Sequence, residues 1–174
     1  MVCYKYLNEG EWVLGYTYYT PEVVVSVLKP DGTGQVNFKM ETDSGAAISL
    51  LPNSAGILLG IDVASGLPVG LGGVGGSTFT CYIHKLTVVI DGKEMVLPIA
   101  FGETDDFPPL LGRLGLYDKA NVWMDNLGAK ATCVGAVGGV LSAPGGPQGF
   151  LDINIPFEAI LAVGGLFLLV MLVK

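Results

Sequence analysis

The sequence predicts an all-β domain followed by one C-terminal membrane-spanning helix, and three observations carry that expectation. Between Pro21 and Asp125, residues with strand propensity recur in short runs bounded by glycine, proline and Asp-Gly pairs. Helical signals are confined to stretches of one or two turns, too short to cover a sheet alone. An uninterrupted apolar run extends from Ala159 to Val173, and counted from Ile155 the segment has 19 residues. At about 1.5 Å per residue it spans roughly 28 Å, close to the hydrocarbon thickness of a bilayer.

Taken in order, residues 1–20 form an N-terminal extension in which Trp12 and Tyr16 to Tyr19 are expected to add a strand or cover a sheet edge. The domain proper is expected over 21–127. It begins with the β-branched run EVVVSVL (22–28), turns at KPDGTG and returns as QVNFKMET. A turn or two of helix is expected after Pro52 (NSAGILLGI). TFTCYIHKLTVVI (78–90) alternates, Asp91-Gly92 reverses the chain, and EMVLPIAF (94–101) comes back as the second hairpin. Another short helix is expected after Gly112, in RLGLYDKA. From 128 to 152 small residues, glycine and proline dominate, which reads as a flexible linker with a root-mean-square reach of roughly 25 Å. Residues 153–174 are the transmembrane segment. Glu158 lies near the end of the span, where a carboxylate at the interface costs far less than at the bilayer centre.

Bulk properties bound the function. The 174 residues suffice for one domain and an appendage. A net charge of −7 with no lysine or arginine cluster excludes a phosphate-backbone partner, so no nucleic acid is expected. Cys3, Cys81 and Cys133 are odd in number and widely spaced; neither a disulfide framework nor a metal knuckle can be read from them, and a reducing compartment is preferred. The N-terminus MVCYKYLNEGEW lacks the basic-then-apolar order of a secretory signal. No metal and no cofactor is expected.

Three motifs carry the candidate chemistry. Asp43-Ser44-Gly45-Ala46 sets a carboxylate at a strand end beside residues small enough for a close backbone approach. Gly70, Leu71, Gly72, Gly73, Val74, Gly75 and Gly76 hold five glycines in seven residues, the composition of a mobile hairpin tip. Gly70, Gly72 and Gly75 also satisfy G-x-G-x-x-G, but a dinucleotide fingerprint must open a helix and a β-strand pattern follows here. Leu110, Leu111, Gly112 and Arg113 suggest a buried strand leading into a tight backbone crossing.

In this order the motifs resemble the retropepsin family, the single-lobe aspartic proteases of retroviral type, over about 105 residues from Pro21 to Asp125. The resemblance implies a retropepsin-like closed or partly open β-barrel lobe that forms a homodimer, with Ala120 to Asp125 as its closing strand. It implies Asp43 as the catalytic residue, Ser44 to Ala46 as the active-site loop, Gly70 to Gly76 as the substrate-covering flap, and Leu110 to Arg113 as a structural motif. Ser44 replaces the commoner threonine. Ala47 stands where many relatives carry an acidic residue to pair with the motif arginine, which leaves the role of Arg113 open.

Peptide hydrolysis by this route needs two carboxylates sharing one proton, and the chain holds one such motif, so the second carboxylate must come from another copy. The expected function is a membrane-anchored homodimeric aspartic endopeptidase acting on a polypeptide in extended form, with Ala46, Ile48 and Val74 as pocket candidates. The alternative is a catalytically inactive, membrane-tethered interaction or assembly module on the same fold. A third reading, an extracytoplasmic β-domain binding a ligand under the glycine-rich loop, has less support. A single-pass topology through 155–173 is expected, with the domain on the cytoplasmic side. His84, Glu103, Asp105 and Asp106 are expected to be solvated, and Cys81 to be a small buried residue.

Overall fold

The computed structural model describes residues 2–72, 78–117 and 119–136. Gly73, Val74, Gly75 and Gly76 of the glycine-rich tip lie outside the described residues, as does the segment 155–173. Among the described residues no helix is long and apolar enough to cross a membrane. The elements are β1 (Val2–Lys5), β2 (Leu7–Val13), β3 (Tyr16–Thr20), β4 (Glu22–Leu28), β5 (Gln35–Thr42), β6 (Ser49–Leu51), α1 (Asn53–Leu59), β7 (Leu67–Gly72), β8 (Thr78–Ile90), β9 (Lys93–Gly102), β10 (Leu110–Leu111), β11 (Ala120–Asp125) and β12 (Ala131–Ala136).

The all-β expectation holds, and the main sheet closes into a six-stranded barrel. Its order is β4-β5-β10-β6-β9-β8, with β8 returning to β4 through Ser26 opposite Val89 and Val27 opposite Val88. Closure removes the free strand edges that would otherwise template aggregation. Val23, Val25 and Val27 of β4 alternate into the interior, where they meet Met40, Leu51, Val88, Ile90, Leu97, Ile99, Phe101 and Leu111. Fully burying each such side chain contributes roughly 1.5–3 kcal/mol, so the alternating pattern itself selects the face each strand turns inward.

Strand β8 has two partners on one edge. Its last part closes the barrel against β4, whereas its first part pairs with β7, from Leu67 opposite Ile83 to Gly72 opposite Thr78. The β7–β8 hairpin therefore continues past the point where the barrel closes. At the other end of β8, Asp91 and Gly92 take φ of 55° and 68°, the two-residue turn whose twist matches an antiparallel pair.

Three features differ from the sequence expectation. Residues 131–136, expected within the linker, form β12, which lies between β1 and β11 in a separate three-stranded sheet. There Cys3 is the register partner of Cys133, and the two are joined by a disulfide. Residues 130 positions apart become neighbours only through strand pairing, so linear spacing could not disclose the bond. Finally, the segment after Gly112 makes turns held by the amides of Leu116 and Tyr117 on the Arg113 carbonyl, not a helix. The helix expected after Pro52 is present as α1.

Candidate active site

Asp43 follows directly on β5, at one end of the barrel sheet. The parallel pairing of β10 with β5 sets Leu110 opposite Glu41 and Leu111 opposite Thr42, and the Asp43 amide donates to the Leu111 carbonyl at 3.1 Å. Its carboxylate Oδ1 accepts the Gly45 amide at 2.7 Å, and its carbonyl accepts the Ala46 amide at 3.3 Å. The Asp-Ser-Gly turn is thus tied down by its own aspartate. Ser44 and Gly45 stay exposed at its crest, while Asp43 and Ala46 are partly exposed.

The Leu110–Arg113 motif crosses beneath this turn and is stitched to both of its flanks. Beyond Leu111, the Arg113 amide donates to Ala46 at 3.1 Å and the Leu114 amide to Ala47 at 2.8 Å. The Gly112 amide donates to the buried Ser49 hydroxyl at 3.1 Å. A Cβ on Gly112 would lie 2.4 Å from the carbonyl carbon and oxygen of Ile48, so backbone meets backbone and only glycine fits. This is the close crossing expected from the Leu-Leu-Gly pattern.

The third motif meets the other two through an apolar cluster. Ile48, Leu50, Cys81 and Ala100 form it, and Val69 and Leu71 of β7, Ile83 of β8, Phe107 and Leu110 pack around it. The root of the glycine-rich hairpin, the strand leaving the aspartate turn and the Leu-Leu motif therefore share one hydrophobic patch. Of the pocket candidates, Ile48 is buried in this patch, Ala46 is partly exposed and Val74 lies outside the described residues. Gly70, Leu71 and Gly72 are on β7 opposite Thr80, Phe79 and Thr78.

Two groups near Asp43 escaped the sequence reading. Burial pushes the Glu41 carboxyl above the ordinary value of 4.5, and the negative charges of Asp43, Glu22 and Glu9 push it further. Burial also pushes the Tyr117 phenol up, with Asp43 adding to the rise and Arg113 opposing it. The Tyr117 hydroxyl is buried without a hydrogen-bond partner among the described residues. The place of Glu41 on the last residues of β5, two positions before Asp43, was a readable signal for a second carboxylate beside the turn. Tyr117 had none beyond its position four residues after Arg113.

Other expectations divide. Cys81 is fully buried, and that burial raises its thiol pKa, with Glu103 adding to the rise. His84 is not a free solvated side chain: its Nε2 sits 3.0 Å from the Val63 carbonyl and its ring meets Phe101 edge-on. The cause is the turn at 63–65, which passes over β8 at that point. Asp105 is exposed but employed, accepting the Ser54 amide in the first turn of α1 at 2.9 Å. Among the described residues no group of three or more His, Cys, Asp or Glu side chains could hold a metal ion.

Compared with models of known protein families and with curated proteins, the chain finds no match in either.

Proposed function

We propose that the chain is a membrane-anchored, homodimeric aspartic endopeptidase of the retropepsin type. The observation that carries this reading is the crossing at Gly112, which braces the Asp43 turn from both sides through backbone hydrogen bonds. Such bracing supplies the fixed geometry that a carboxylate meeting a symmetric partner requires. The exposed crest at Ser44 and Gly45 offers small residues for a close approach by a second copy.

In the proposed dimer the two Asp43 carboxylates lie on the two-fold axis and share one proton, because like charges about 3 Å apart do not both ionise. The ionised carboxylate takes a proton from water, whose oxygen attacks the peptide carbonyl carbon. The protonated one donates to the carbonyl oxygen. Collapse of the tetrahedral intermediate breaks the C–N bond, with the proton passing to the leaving amine. The β7–β8 hairpins close over an extended substrate, gripping mainly its backbone, and the patch around Ile48 and Leu71 favours apolar side chains beside the scissile bond.

The run 155–173 anchors the chain as a single pass. The Cys3–Cys133 bond favours an oxidising compartment for the domain, whereas the sequence reading favoured the cytoplasmic side. Protease protection in sealed vesicles decides between the two faces. The function itself is tested by peptide cleavage with detergent-solubilised protein beside Asp43→Asn. Cleavage lost in a folded variant is the expected result; equal cleavage by the variant removes the protease reading.

A further inference from the structure

The β2–β3 hairpin belongs to neither the barrel nor the terminal sheet. Among the described residues it is a two-stranded ribbon whose strands pair only with each other, from Leu7 opposite Thr20 to Val13 opposite Tyr16. Its distal part carries Trp12, Val13, Leu14, Tyr16 and Tyr18, all exposed, with Trp12 at 77% and Leu14 at 90%. Residues 12–20 contain no charged side chain. An isolated ribbon with both edges open is marginal in water, and large apolar side chains held at its end lack the burial that would stabilise it.

We infer that this tip docks into the interfacial layer of a lipid bilayer, a second contact beyond the anchor. The inference rests on the membrane reading of 155–173. The composition fits that layer: tryptophan and tyrosine present an apolar ring and a polar edge, the pairing enriched at headgroup depth. The open edges of β2 and β3 set the depth. Their outer amides and carbonyls, which no strand pairs among the described residues, cannot enter hydrocarbon, so the tip stops where water and headgroups still serve them.

Chain length agrees. Described structure ends at Ala136 and the anchor segment begins at Ile155, so 18 residues (137–154) intervene. Even fully extended, 18 residues reach no further than about 60 Å, so a chain anchored at 155–173 keeps the domain near the surface and makes the tip contact intramolecular in character. A second copy is a poorer occupant, because five side chains fall well short of the roughly 20 residues a side in a stable protein interface.

The test uses the full chain reconstituted into vesicles whose acyl chains carry bromine at a shallow or a deep position. The chain has two tryptophans, so Trp123→Phe leaves Trp12 as reporter and Trp12→Phe leaves the partly buried Trp123 as control. If Trp123→Phe fails to fold, the unsubstituted chain minus Trp12→Phe gives the same reading. The expected result is strong quenching of Trp12 by shallow bromine, weaker quenching by deep bromine, and little change at Trp123. An unquenched Trp12 in protein that withstands alkaline extraction overturns the inference and leaves the anchor standing. Extractable protein whose Trp12 is still quenched on added vesicles supports the tip and overturns the anchor; extractable and unquenched protein overturns both. A concentration-dependent blue shift of Trp12 without bromine quenching assigns the ribbon to a second copy and overturns the inference.

Discussion

Replacing Gly112 by alanine places a methyl group 2.4 Å from the Ile48 carbonyl carbon and oxygen and 2.9 Å from the Ser49 amide nitrogen. Ordinary contact begins at 3.4 Å, so β10 and the strand leaving the aspartate turn must separate by about 1 Å. Both sides are backbone, which leaves no side chain to rotate away. Overpacking of this kind costs about 1–3 kcal/mol. Stretching the bond from the Gly112 amide to the buried Ser49 hydroxyl adds about 1 kcal/mol. The expected destabilisation is therefore about 2–4 kcal/mol, read as a lower denaturant midpoint at unchanged slope in tryptophan-monitored unfolding. Gly70→Ala is the control, since nothing lies within 4 Å of its Cβ. A 1 Å displacement also misplaces Asp43, so the peptidase activity proposed for it should fall by a factor on the order of 100. Gly112→Ala with the stability of Gly70→Ala would refute the crossing as the brace of the site.

Two further perturbations probe the surroundings. Cys3→Ser opens a loop of 130 residues and should cost about 3–5 kcal/mol, with a melting temperature that no longer responds to reductant; an unchanged melt would deny the bond a structural role. Glu41→Gln tests the acidic neighbourhood of Asp43. Because the folded-state pKa of Glu41 is raised, its contribution favours folding below the unfolded value and is lost as pH rises through the folded value. The variant should thus be more stable than the parent at pH 7, and the gain should fade below about pH 4. A gain of the same size at both ends would contradict the burial of that carboxyl.

Much of the barrel was legible because its signals are local. The β-branched alternation of 22–28, the Asp-Gly pairs and the run 78–90 each specify a strand or a turn within a few residues, and the hairpins appear where those signals stand. The crossing at Gly112 was legible for a related reason: a glycine directly after two leucines, the second of them fully buried, marks a place where a Cβ cannot fit. What escaped depends on distant pairing. Ala131 to Val134 read as linker because glycine surrounds them, yet they are buried between β1 and β11. The Cys3–Cys133 bond and the contact of His84 with Val63 follow from register and from a passing turn, neither of which leaves a mark on nearby sequence. Glu41 was in plain view beside Asp43, but its shifted proton affinity is a property of burial that composition does not carry.

The central claim is that Asp43 is half of a site completed by another chain. Co-reconstituting unsubstituted and Asp43→Asn chains in equal amounts tests it directly. If each active site needs one Asp43 from each of two freely mixing subunits, only dimers of two unsubstituted chains cleave peptide, and activity falls to about one quarter of that at the same total protein. Activity of one half would mean that each chain works alone, and undiminished activity would mean that Asp43 takes no part.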